Sequence, residues 1–521
     1  MTPKGHSRAT SPGPTPTPGG NDGDGDGADG AGAALRFGTG PGRWVITATV
    51  LGSTLASIDA TVVGIALPSI GRDFGASISG LQWVVTAYAL TLGGLLLVAG
   101  SLGDLHGRRR FFVIGVIWFA LASGLCALAP NAPVLIIARA IQGVGAALLT
   151  PGSLAIIEAS FAPEDRGKAI GTWSGFAGVG GAIGPLLGGL LVQWASWRFI
   201  FVINLPLAAV VVVMSRRHVP ESRDTAISGT RLDVTGGALA TLGLVGLAYG
   251  LIEGPADGWR TSSLAVLVAG VLLLVAFILW ERRVSAPMLP LGLFRSRQFS
   301  ATNAVTFVLY GATGGVFFLL PVQLQEVCRY SPLQAGVSLL PLTAVTLSLS
   351  TRSGALASRI GPRLQMGLGP CITGLAVVLL VRINEVGTYW TQVLPAVLIL
   401  GLGLAVTTAP LTSTALSSAP AEQSGVASAV NNDVARTAQL IAVAVLPAIA
   451  GITGTAYTDP PVFSRGFHKA SVVSGLLCVL GGILAAALIR NPRRADVQAQ
   501  APEAACLRHC ALDAPPQRVN A

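Results

Sequence analysis

Charge is what this chain has least of. Only 11% of its 521 residues are Asp, Glu, Lys or Arg, where a soluble globular chain carries roughly a quarter. Lysine is reduced to Lys4, Lys168 and Lys469, so arginine carries the positive charge, and with so much Ala and Gly that bias suits a GC-rich bacterial source. Cysteine is sparse and scattered, which excludes a disulfide framework. Cys126, Cys371 and Cys478 fall in apolar runs and read as small hydrophobes, while Cys506, His509 and Cys510 near the C-terminus lack a second ligand pair. The five histidines show no metal spacing. No Walker-type phosphate loop is present, which excludes direct ATP drive, and no nucleophile elbow is present either. Neither an enzyme, a metal nor a cofactor is expected. No basic segment leads into a short apolar one near the start, so no cleaved leader is expected.

What the chain has in abundance is long apolar runs. Hydrophobic residues make up 51% of it. Residues 1–43 are Pro-, Gly-, Thr- and Asp-rich and read as a disordered tail. Apolar runs then fall near 44–68, 80–102, 111–129, 133–157, 168–193, 197–214, 234–252 and 261–281. Six more fall near 299–325, 332–351, 366–382, 391–417, 424–451 and 470–489, about fourteen in all. Backbone polar groups cannot stay unpaired in lipid, so each run is predicted to be a membrane helix of about 20 residues. With the N-terminus inside, loops on the inner face carry 19 Arg and Lys, against 7 on the outer face. That asymmetry explains the net charge of +10 without nucleic acid, and places both termini in the cytoplasm. A multi-pass protein of the cytoplasmic membrane is expected.

Two charges fall inside these runs, Asp59 in the first and Arg139 in the fourth. An arginine at mid-membrane costs about 3 kcal/mol on insertion scales, so it needs a partner or a wet cavity. Two readings are open: an ion pair that ties two helices together, or an acid whose proton affinity is set by a nearby guanidinium. The thirteenth run is also polar on one side, with Asn432, Arg436 and Gln439 at i, i+4 and i+7. Those residues either line a cavity or make buried hydrogen bonds near the membrane surface.

The two halves echo one another. Gly100, Asp104, Gly107, Arg108 and Arg109 lie in the loop after run two, and Gly354, Ser358, Gly361 and Arg363 recur after run ten. A loop repeated at equivalent places argues for a duplicated transporter, and its charges suit a latch at an inner gate. The second copy has Ser358 in place of the acid, so its latch is expected to be weaker.

These motifs resemble those of the major facilitator superfamily. The loop 100–110 resembles its signature loop, and Arg139 with Gln142 and Gly143 resembles its fourth-helix motif. Gly180, Gly184, Pro185, Gly188 and Gly189 resemble its fifth-helix antiporter motif. Ile58-Asp59-Ala60-Thr61 with Ala66-Leu67-Pro68 is similar to the first-helix motif of the fourteen-span drug/proton antiporters, as are segments around Trp83, Trp197 and Tyr330. Gly64 stands where that motif usually has Asn, Arg329 where Gly is common, and Asp433 and Gln439 where small apolar residues are usual.

The resemblance implies an all-α integral membrane fold of two six-helix bundles, 44–214 and 299–490. A cytoplasmic linker and an extra helix pair at 215–298 would join them, and 491–521 would be a cytoplasmic tail. It implies proton-coupled efflux of small hydrophobic or amphiphilic compounds by a monomer in the lipid bilayer. Asp59 and Arg139 would couple protons, the loop 100–109 would gate, and the fifth-helix glycines would permit motion. Trp83, Tyr88, Gln142, Tyr310, Asn432 and Arg436 are candidates for the substrate cavity. Alternatives are transport of another small metabolite, or a non-transporting sensor. The sensor would need a signalling domain for which neither tail has room.

Overall fold

A computed structural model describes residues 35–223, 233–284, 287–420 and 423–491. The predicted tail 1–43 and the linker therefore lie partly, and the Cys506–Cys510 cluster wholly, outside the described residues. The regular structure described is helical. It runs α1 (Gly40–Phe74), α2 (Ile78–His106), α3 (Arg108–Ala127), α4 (Ala132–Ser160), α5 (Pro163–Trp194), α6 (Phe199–Val202), α7 (Asn204–His218), α8 (Val234–Asp257) and α9 (Thr261–Glu281). The second half runs α10 (Arg297–Val322), α11 (Pro332–Ser338), α12 (Leu340–Ile360), α13 (Pro362–Leu379), α14 (Leu394–Ser417), α15 (Ser424–Ile449) and α16 (Pro460–Leu488).

Thirteen helical segments among the described residues are long and apolar enough to cross a membrane, α6–α7 and α11–α12 each forming one. The expected fourteenth is α15, whose Asn431, Asn432, Asp433 and Arg436 leave it too polar to qualify by composition. Helix ends extend beyond the apolar runs because polar residues cap them. Thr39 accepts from the Gly42 amide and starts α1 at Gly40 rather than near 44. Asp459 accepts from the Val462 amide and starts α16 at Pro460 rather than near 470, so Arg465 and Lys469 are helical and not in a loop. Just before α1, the Leu35 amide donates to the Ser160 carbonyl, and the Ala162 amide to the Leu35 carbonyl. This part of the predicted disordered tail is therefore pinned to the end of α4.

The helices pack as two bundles, α1–α7 and α10–α16, with α8 and α9 as a separate hairpin. The hairpin lies against α2 and α15, where Gly94 of α2 meets Thr241 and Trp83 donates to Glu253 Oε1 at 2.7 Å. Large apolar side chains such as Leu121 (67% exposed) on α3, Leu272 (62%) on α9 and Leu476 (63%) on α16 face outward, as a lipid-bathed surface requires. The repeated loops have the same backbone form. Gly107 (φ 117°) and Gly361 (φ 85°) end α2 and α12 with positive φ, a region β-carbons disfavour, and each amide caps its helix.

The described hydrogen bonds between the bundles gather toward one end. Hydrogen bonds joining them among the described residues run from Tyr457 to the Ala76 carbonyl (2.7 Å), Ile78 amide to Gly454 (2.8 Å), Gln82 to Val443 (2.6 Å), Gln325 to Ile65 (2.9 Å), and Leu333 amide to Gln193 (3.2 Å). An Arg72–Glu326 ion pair adds to them. All lie toward the end opposite Arg108 and Arg363. Within the first bundle, a Cβ at Gly180 or Gly188 would sit 2.7 Å from Thr54 Cγ2 or 2.8 Å from Val62 Cγ2, and one at Gly184 would strike Thr61, so α5 rides directly on α1. Two other glycines close the joint between the bundles. Gly189 meets the Pro332 carbonyl, and Gly336 of α11 meets that of Pro185.

Gly336→Val should force α11 away from α5. Overpacking of this kind costs about 1–3 kcal/mol, so hydrogen exchange of the α11 amides is expected to speed up by roughly tenfold or more. Unchanged exchange there would show that the joint does not depend on this close approach.

Candidate functional site

Asp59 of α1 and Arg139 of α4 meet in the interior of the first bundle. Arg139 Nη1 lies 2.5 Å from Asp59 Oδ2, with the two side chains 1% and 0% exposed. The remaining valences are filled from surrounding helices. Gln142, one turn beyond Arg139, accepts from Nη1 (2.6 Å) and donates to Asp59 Oδ1 (2.8 Å) and to Ser123 Oγ (2.8 Å). Asn204, at the start of α7, donates to Asp59 Oδ1 and Ser123 Oγ, both at 3.2 Å. Arg139 Nε donates to the Val84 carbonyl (3.1 Å), and its guanidinium lies 4.3 Å from the Tyr88 ring centroid and 5.7 Å from that of Phe201. Both carboxylate oxygens are thus occupied, and the pair is satisfied by the groups a buried ion pair requires.

A cavity of about 410 Å³ lies between the bundles and abuts this pair. Thr61 and Gly64 of α1, Tyr88 of α2, Phe317 of α10, Thr343 of α12 and Arg436 of α15 are on its wall, with Arg139 touching it from the side. Gly64 faces open space, since a Cβ there would meet nothing within 4 Å. The absence of the usual Asn therefore enlarges the cavity.

Of the cavity residues expected from sequence, Tyr88 and Arg436 are on the wall. The other four are not. Gln142 is fully buried in the Asp59 network, because its i+3 spacing turns it to the face of Arg139. Trp83 is held by Glu253 of α8 and packs against Tyr249. Tyr310 packs among Val305, Met366 and Leu411. Asn432 is exposed and donates to the Ser428 carbonyl of its own helix. Conversely, Ser123 and Asn204 complete the ion-pair site without having been assigned to it.

The signature loop ties one bundle to itself. Arg108 pairs with Asp104 at 2.7 Å and donates to the Ala155 carbonyl of α4 at 3.5 Å. Arg109 pairs with Glu221 at 3.6 Å and donates to the Val219 carbonyl at 3.0 Å, beyond α7. Gly100 leaves room for Pro151 of α4, and Gly107 for Glu221. In the second copy Arg363 donates to the Ala486 carbonyl (2.8 Å) and its amide to Asn491 (3.0 Å). Among the described residues neither loop makes a hydrogen bond to the other bundle.

Removing one partner of the buried pair leaves an uncompensated charge. Asp59→Asn and Arg139→Gln should each lower stability by about 3–5 kcal/mol, and the double variant should recover part of that loss. Thermal unfolding of the purified chain in detergent measures both. Additive losses would mean that the pair is not energetically coupled.

Comparison with known proteins places this geometry. The chain is 37% identical over 447 residues to the puromycin resistance protein of Streptomyces alboniger, covering 84% of this chain and 87% of that one. It is 36% identical over 418 residues to the multidrug resistance protein Stp of Mycobacterium tuberculosis (80% and 77%). It is 34% identical over 403 residues to the tetracenomycin C resistance and export protein of Streptomyces glaucescens (77% and 74%). Among solved structures, the fold matches a bacterial homologue of the human lysosomal transporter Spinster in an inward-facing, unoccupied conformation (TM-score 0.59, 19% identity, 86% of this chain and 97% of that one). It also matches a D-xylose–proton symporter (TM-score 0.61, 15% identity, 86% and 98%). Residues 49–439 match the sequence profile of the Major Facilitator Superfamily, and with the two-bundle fold and these relatives the chain belongs to that superfamily.

Proposed function

We propose that this chain is a monomeric exporter that moves small hydrophobic or amphiphilic compounds, antibiotics or secondary metabolites among them, out across the bacterial cytoplasmic membrane in exchange for protons. The observation that carries this reading is the fully buried Asp59–Arg139 pair, which touches the cavity through Arg139. The names of the relatives, resistance and export proteins, agree with it. The arginine-rich loops support an orientation with the Arg108 and Arg363 ends, and both termini, in the cytoplasm. The described links between the bundles then lie toward the outside, and the cavity takes substrate from the cytoplasm or inner leaflet.

In the exchange, a proton reaching Asp59 cancels the charge that holds Arg139. The freed guanidinium keeps its Gln142 and Val84 contacts but loses its counter-ion, so its stable position shifts toward the cavity. Substrate binding and proton binding thereby compete through one side chain. The contact of α5 on α11, where Gly189 meets the Pro332 carbonyl and Gly336 that of Pro185, is the surface that parts when the cavity turns outward. The loops around Arg108 and Arg363 would come together in that state.

Proteoliposomes or energised cells carrying the wild type should extrude a dye when a proton gradient is imposed, and stop when it is collapsed. Asp59→Asn should abolish the gradient-driven part while the protein still inserts, and Asp59→Glu should retain some of it. Extrusion indifferent to the gradient, or an active Asp59→Asn, would refute proton coupling through Asp59.

A further inference from the structure

Asp59 cannot be where a substrate is recognised, because both of its oxygens are occupied and it is fully buried. The second bundle contains a different acid. Asp433 lies on α15 one turn before Arg436, and on the same face as Arg436 and Leu440, which line the cavity. Its Oδ1 is buried and accepts no hydrogen bond. Arg436 likewise has neither a hydrogen bond nor an ion pair among the described residues, although only Val434 and Ala435 separate the two. The Tyr88 hydroxyl, across the cavity on α2, is also unpartnered. The ion pair in the depth of the first bundle, Asp59–Arg139, is closed on itself, so an acid and a base one turn apart on α15 with no ion pair between them stand out, Arg436 on the cavity wall and Asp433 one turn from it. A charge at membrane depth without an ion-pair partner is costly and marks a function by default.

We infer that Asp433 and Arg436 form a two-charge recognition site, and that the substrate is an amphoteric amphiphile. Its cationic group docks on Asp433, its acidic oxygen docks on Arg436, and its apolar body lies against Phe317 and Leu440. The inference rests on the cavity being the substrate site of the proposed exporter. The geometry suits such a ligand for a simple reason. A purely cationic compound leaves Arg436 unpaired and a purely anionic one leaves Asp433 unpaired, while an amphoteric one satisfies both without changing the net charge of the wall. Gln439, on the cavity wall one turn beyond Arg436, supplies a neutral polar group beside the base.

The test is binding of three dyes on one ring system to the full chain in lipid nanodiscs, read by fluorescence anisotropy with no proton gradient. Tetramethylrhodamine free acid is zwitterionic, its methyl ester is cationic, and fluorescein is anionic. Wild type should bind the free acid at least tenfold tighter than either of the others. Asp433→Asn should weaken the free acid and the ester but not fluorescein. Arg436→Gln should abolish the advantage of the free acid over its ester. Asp433→Glu should restore binding, which separates recognition from folding. Equal wild-type affinity for the acid and the ester would overturn the amphoteric class. Equal loss of all three dyes in both variants would mean that Asp433 and Arg436 serve one another, and would overturn the site. If the dyes bind as expected but no gradient drives their extrusion, the export reading fails and this one stands. If all three are extruded alike and Asp433→Asn is silent, the reverse holds.

Discussion

An ion in hydrocarbon needs its counter-ion within reach, and the first bundle is built around one such pair. Asp59 and Arg139 come from different helices, and their remaining hydrogen bonds come from α2, α3 and α7 as well. Five helices are therefore held in register by polar bonds that lipid cannot replace. A pair so enclosed contributes little net stability against an apolar substitute. The cation–π contact with Tyr88 links the pair directly to the cavity wall.

The two ends of the molecule are held by different physics. At the Arg72 end the bundles join through close backbone approach, with Gly189 on Pro332 and Gly336 on Pro185, and through single hydrogen bonds to main-chain carbonyls. Such contacts are many and individually small. At the Arg108 end, charge networks tie α2, α3, α4 and the segment after α7 into one unit. Rigid inner ends and a shallow, packed outer joint favour rocking of whole bundles over bending within them.

Much of this was legible in the sequence, for identifiable reasons. Period-free apolar runs and loop arginines reveal membrane helices whatever the tertiary structure. A charge within such a run, like Asp59 or Arg139, is conspicuous because hydrocarbon tolerates so few. Which way a polar residue turns is a different matter. Gln142 and Asn432 were both read as facing the cavity, yet one turns to the ion pair and the other to the outside, because rotation of a helix is set by the packing of its neighbours. Asn204 and Ser123 are ordinary residues made special only by meeting Asp59 from distant parts of the chain. The sequence places the start of α16 too late because Pro460, Pro461, Arg465, His468 and Lys469 break up the apolar run, although Asp459 caps the segment into the helix.

The α8–α9 hairpin gives the molecule a handedness that two equal bundles would lack. Two vertical seams run between the bundles, one bordered by α2 and α15, the other by α5 and α12. The hairpin lies along the first, with Gly94 against Thr241 and Trp83 bonded to Glu253, while no further helix among the described residues lies along the second. A molecule dissolved in the leaflet thus meets a paved side and an unpaved one.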